Sequence, residues 1–225
     1  MLRSKVEYER FAEIVDELQL KDPHDREGAY LAEQGHVVLW KPTSMVVARH
    51  LAESVFDRVD GSDRWAPWWL RDGAAELFVS LALEQLSQGK DLEYYVDRYA
   101  TAKRHIDAEG PDLSIFSVLE TLDYKEREQR NRALAMTLVD YLQSKKRRGF
   151  RSFVAKVRSP DAPAPPTTDS EADFKSFHRK YIVFQEKALE SFAGKLSSLE
   201  DAWKAHVLKT AARLEARDPS RRDAG

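Results

Sequence analysis

Four residues in the first third of the chain have types and spacing that could do chemistry: Arg49, His50, Glu53 and Asp72. The stretch from Ser44 to about Val59 reads as one helix, so Arg49 and Glu53, at i and i+4, share a face and can pair. His50 with Glu53, or with Asp72, supplies an imidazole and a carboxylate, the pair needed for general acid–base work. Arg49 adds a permanent cation that cannot ligate a metal, because guanidinium stays protonated. Other chemistries lack their parts. With no cysteine there is no thiolate zinc site and no thiol nucleophile. Ser44, Ser54 and Ser80 lack the flanking glycines of a nucleophile elbow, and no glycine-rich phosphate loop occurs. His24, His36, His105, His178 and His206 are scattered singly and read as surface or satisfied core histidines.

The elements that must position these residues follow from periodicity and punctuation. Val6, Phe11, Ile14, Val15 and Leu18 give a first amphipathic helix. Ala29–Leu31 and His36–Trp40 are two short apolar runs around AEQG, a β-hairpin pattern ended by Pro42. The helix from Ser44 stops at Asp60-Gly61, and Pro67 suits the first turn of the next, which runs past Leu86 to Gly89. Residues 91–108 form another helix, broken at Gly110-Pro111, and a short helix or loop follows through Leu122. A helix over about 124–145 is expected to end by Gly149, with a short helix marked by Phe150, Phe153, Val154 and Val157 after it. SPDAPAPPTTDS (159–170) reads as a proline-rich surface linker, mobile in part. Helices over 171–193 and 197–215 close the domain, expected to be single over 1–216, and 217–225 reads as a disordered tail.

Charge and composition narrow the function. With 36 basic against 38 acidic residues the formal charge is −2, which calls for neither nucleic acid nor an anionic membrane. Lys145-Lys146-Arg147-Arg148 reads as a solvated helix C-terminus matched to the dipole. The N-terminal stretch has no apolar signal core and no segment reaches membrane-spanning length, so a soluble, cytoplasmic chain is expected, or a piece excised from a longer protein.

The stretch from Ser44 to Phe78 resembles a known arrangement. VVARHLAESVFDRV aligns with the active-site helix of gluzincin metallopeptidases, placing Arg49-His50-Leu51-Ala52-Glu53 on the HExxH positions. Eighteen residues then separate Glu53 from Asp72, which falls on the third-ligand glutamate within WWLRDGAAELF, similar to the family's PxWLxEGxAxxF. GAYLAEQGHVVLW, the segment from Arg130 to Ser159, and ALESFAGKLSSLEDAWKAHV resemble later and earlier parts of the same fold. The chain is identified as resembling a bacterial gluzincin-like family of peptidase-related domains, within the thermolysin and aminopeptidase superfamily, whose function is not established.

That resemblance implies an α+β, mainly helical fold, with a small β element followed by a gluzincin-like helical core. It also implies a degenerate site. Arg49 stands for the first zinc-binding histidine, His50 for the general-base glutamate, Glu53 for the second histidine and Asp72 for the glutamate ligand. Arg132 or its neighbours stand where the family often places a tyrosine. The expectation is therefore no metal or cofactor, and Arg49 in the ion's place, neutralised by Glu53 and Asp72. HxxE at His50 also opens the inverted zincin pattern, but Ser54 ends that match. Trp65, Trp68 and Trp69 cluster beside the old site, and Trp65 and Trp69 are candidate ligand-binding residues, against core packing as the default for such aromatics. The implied function is a pseudo-peptidase that binds a peptide or protein segment without cutting it. The alternatives are a metal-independent hydrolase using His50 with Glu53 or Asp72, and a purely structural domain of a larger protein.

Overall fold

The computed structural model describes residues 28–31, 36–39, 66–86, 93–120, 129–164, 166 and 171–217. Arg49, His50, Glu53 and Trp65, with the helices expected before residue 60, lie outside them. The described chain is mainly helical: α1 Trp68–Leu86, α2 Glu93–Glu109, α3 Ile115–Leu119, α4 Gln129–Lys145, α5 Arg147–Val157, α6 Glu171–Ala193 and α7 Leu196–Arg217. Gly28–Leu31 and His36–Leu39 pair antiparallel, with Gly28 opposite Leu39 and Leu31 opposite His36. Among the described residues no helix is long and apolar enough to cross a membrane.

The residues fall into two compact units. The first takes in the strand pair and α1 from Phe78 onward; the second holds α1 up to Leu77 and α2 to α7. At the centre of the second unit is α4. Every side chain from Ala133 to Val139 is buried, then Tyr141 and Leu142, so this helix is apolar all round and is enclosed by its neighbours. On α7 the buried residues Leu196, Leu199, Trp203, Val207, Ala211 and Leu214 recur at three- and four-residue spacing, one stripe facing inward. Trp203 is fully enclosed, and its indole N–H donates to Thr137 Oγ1 at 3.3 Å, whose hydroxyl donates to the Leu134 carbonyl at 3.0 Å. The only polar atom of the largest core side chain is thereby satisfied.

The turns are set by particular groups. Gly110, at φ +54°, leads into a 3-10 turn over Gly110–Asp112 that ends α2. The five-residue α3 is too short to persist alone. Ser114 caps it, its Oγ accepting from the Ser117 N–H at 3.3 Å, and Glu200 of α7 accepts from the Ile115 N–H at 2.8 Å. Lys204 Nζ donates to Glu200 at 2.8 Å and to the carbonyls of Gly110 and Leu113, tying the same turn to α7. Gly194, at φ +84°, carries the left-handed residue between α6 and α7.

Two expectations about the middle of the chain are corrected. The helix ends at Lys145, as expected, but the break falls on Lys146, at φ −131° and ψ 31°, and the next helix already starts at Arg147. Gly149 is therefore not a stop signal but lies inside α5, where a Cβ would sit 2.2 Å from the Phe192 ring. Nor is the basic run a dipole-matched C-terminus throughout. Lys145 is, but Arg147 and Arg148 open α5, at the end of a helix where the dipole disfavours cations. Beyond α5 the proline-rich segment begins with an ordered turn: the Ser159 and Ala162 N–H groups donate to Lys156 and Ser159 carbonyls, and the Tyr181 hydroxyl donates to the Val157 carbonyl at 2.9 Å.

Candidate functional site

Pro67 starts α1, its carbonyl accepting from the Leu70 and Arg71 N–H groups. The first two turns of that helix then bring Trp68, Trp69 and Asp72 to one side. Opposite them stand Val118 of α3 and Asn131, Arg132 and Ala135 of α4, and the seven line a cleft of about 240 Å³, counting the space open to solvent. The helices come this close because Gly73 has no side chain: a Cβ there would lie 2.5 Å from the Ala135 carbonyl oxygen and 2.8 Å from Val139 Cγ2. Asp72 and Arg132 are thus brought to one place. Arg71 adds a second cation, its Nε 3.8 Å from Asp72 Oδ1 and its guanidinium 4.1 Å above the Trp68 ring. Among the described residues no group of three or more histidine, aspartate or glutamate side chains is placed to hold a metal ion.

Trp69, a candidate binding residue by sequence, is largely buried. It is 3% exposed, its indole N–H donates to Gln185 Oε1 at 2.7 Å, and its ring packs on Phe153 at 5.7 Å between centroids. One edge reaches the cleft, while the bulk of the side chain is core. Trp68 is the half-exposed member of the pair.

Two polar clusters were not singled out by sequence. One turn beyond Asp72, Glu76 is 1% exposed and accepts from Arg98 Nε at 2.9 Å and from the Tyr94 hydroxyl, while Arg98 Nη2 donates to the Tyr94 oxygen at 2.8 Å. Burial, then the Glu76 charge, holds the Tyr94 phenol above its usual pKa, so it stays a donor. In the second cluster the hydroxyls of Tyr95 and Tyr99 both donate to Asp140 Oδ2, at 2.7 and 2.5 Å, and Tyr99 lies 3.3 Å from His206 Nε2. The available signal was the i, i+4 repeat of Tyr94 with Arg98 and of Tyr95 with Tyr99 on α2.

His206 is held below its usual pKa by burial first. Asp140 opposes this, and Lys145, Arg213 and Lys209 add to it. Below about pH 6.5 the unfolded chain takes up a proton that the folded imidazole resists, so stability declines as pH falls through that region. Urea midpoints between neutral and mildly acidic pH should show that decline in the wild type and a smaller one in His206→Gln; equal slopes would show that His206 does not titrate differently on folding.

No family model, curated protein or solved structure matches this chain.

Proposed function

We propose that this chain carries a gluzincin-like core, α+β with a small β element before its helices, that has kept the peptidase helix pairing and lost the hydrolytic chemistry. Its role in this reading is to hold a peptide or protein segment. The observation that carries it is the surroundings of Asp72. The residue at the third-ligand position shares a cleft with Arg132, the residue near the family's tyrosine position, and has Arg71 beside it. One cation, Arg71, is therefore at ion-pair distance from the carboxylate and a second, Arg132, shares its cleft, where a peptidase would direct the acid to zinc, and Asp72 is a methylene shorter than the glutamate it replaces. Gly73 supports the same reading, since the glycine of the family's acid-Gly-x-Ala run is the one that lets α1 press on α4.

Much of the space counted in the cleft is open to solvent, so it is a shallow groove and not an enclosed small-molecule pocket. In this reading a longer segment lies across the groove, with the half-exposed Trp68 as an apolar contact and Arg132 as the charged one. Screening a peptide library for binding and for cleavage tests this directly. Binding without product is expected, weakened about tenfold, or 1.4 kcal/mol, in Arg132→Glu with the melting temperature retained. Cleavage that survives a chelator and disappears in His50→Ala would instead establish the metal-independent hydrolase.

A further inference from the structure

The second unit carries a basic edge that the cleft does not use. Lys145, Lys146, Arg147, Arg148 and Arg151 are all exposed, and none has a side-chain hydrogen bond or ion pair among the described residues. No acidic residue occurs between 141 and 160. The edge continues onto α7. His206 packs against Tyr141 at 5.4 Å between ring centroids, one turn before Lys145, and the exposed Lys209 and Arg213 lie one and two turns after His206. The acids nearest in sequence are committed elsewhere: Asp140 to two tyrosines and Glu215 to Lys103 at 3.2 Å. Along α4 the edge is about 21 Å from Asn131 in the cleft, at 1.5 Å per residue, so it is a separate surface.

We infer that this edge, Lys145 to Arg148 with Arg151, Lys209 and Arg213, docks an acidic segment of a partner protein. Two observations select that partner over other anions, and a third says how it is held. Among the described residues the exposed large hydrophobic side chains are Phe78, Leu81, Phe116, Phe174 and Val183, none within the edge, so no described side chain there inserts into a bilayer. The whole chain is −2, so with these seven cations set aside the rest is nine charges negative. An extended polyanion such as a duplex or a charged bilayer carries more charge than these seven cations balance and is opposed by the net charge of the whole chain, while a short acidic segment stays within the screening length of about 8 Å of the cations. Finally, Arg147, Arg148 and Arg151 present planar forks on adjacent turns of α5, which hold oxyanions, carboxylates among them, bidentately. The inference does not depend on the peptidase-like reading, because it uses no residue of the cleft.

Fluorescence anisotropy with a labelled Glu- and Asp-rich peptide tests it on the whole chain. Binding is expected to weaken with added salt, and by at least about tenfold in the triple variant Arg147→Glu, Arg148→Glu, Arg151→Glu. Folding is not threatened by that variant, because acidic residues suit the start of α5, and its melting temperature should match or exceed the wild type. Lys187→Glu, an exposed lysine on α6 outside the edge, should leave binding unchanged. Lys145→Gln with Lys146→Gln, which removes charge without reversing it, should weaken binding by a smaller factor. No peptide binding, equal binding by the triple variant, or tighter binding of a single-stranded oligonucleotide or of phosphatidylserine vesicles would each overturn the inference.

Discussion

Arg98→Met should unfold at a much lower urea concentration than the wild type, with a loss of about 3–5 kcal/mol, the usual result of removing one partner from a buried ion pair. Arg98 is 6% exposed and Glu76 1% exposed, and the two share Tyr94 as a third partner. Without the guanidinium, Glu76, 1% exposed, would lose the charged donor that Arg98 supplies at 2.9 Å, and a buried carboxylate stripped of that cation is costly. The double variant Arg98→Met with Glu76→Leu should recover much of the loss, because an apolar pair of similar volume removes the unpaired charge. Non-additivity of that size is the signature of direct coupling. A single-variant loss below about 1 kcal/mol, in the range of exposed pairs, would mean that water reaches the cluster.

Gly73→Ala gives the second large effect, and its sign is the point. In an open helix the change would stabilise by about 1 kcal/mol through propensity. Here the new methyl meets the Ala135 carbonyl oxygen at 2.5 Å, so α1 must move off α4. Overpacking of this kind costs about 1–3 kcal/mol, enough to outweigh the propensity gain. Because the first obstacle is backbone, adding Val139→Ala should restore little, although it removes the 2.8 Å contact with Cγ2. A thermal melt in which Gly73→Ala is more stable than wild type would show that the two helices are not in contact there. The movement also opens the cleft, so peptide binding should fall along with stability.

How much of this was legible in the sequence differs by element. The ends of α2 and α6 were, because each is followed by a glycine at positive φ, Gly110 and Gly194, that no other residue adopts as readily. The end of α4 at Lys145 was legible too, but the start of α5 was misplaced because Lys146 carries no such marker, and because Gly149 looks like punctuation while serving as the space occupied by Phe192. That error also hid the basic edge, since four cations at a helix end appear matched to its dipole until the break divides them.

Within the cleft, the motif spacing singled out Asp72, and Arg132 lines the same cleft. Trp69 was ambiguous because a tryptophan at a helix entry can face a groove or a core, and only the partner, Gln185, 116 residues away in sequence, decides it. Glu76 with Arg98 was invisible for a similar reason. Charged residues inside helices read as solvent-facing, and nothing local reveals that two of them meet 22 residues apart under cover.

The central claim is that the motif's spacing persists while its ligands are gone, and reinstating the ligands tests it most directly. The variant combining Arg49→His, His50→Glu, Glu53→His and Asp72→Glu restores HExxH and its distant glutamate at their sequence positions, the ligand types and spacing that bind one zinc ion. Elemental analysis after zinc exposure and exhaustive buffer exchange is predicted to find about one zinc per chain in the variant and none above background in the wild type. Zinc retained at one per chain by the wild type, or no zinc in a folded variant, would contradict the account.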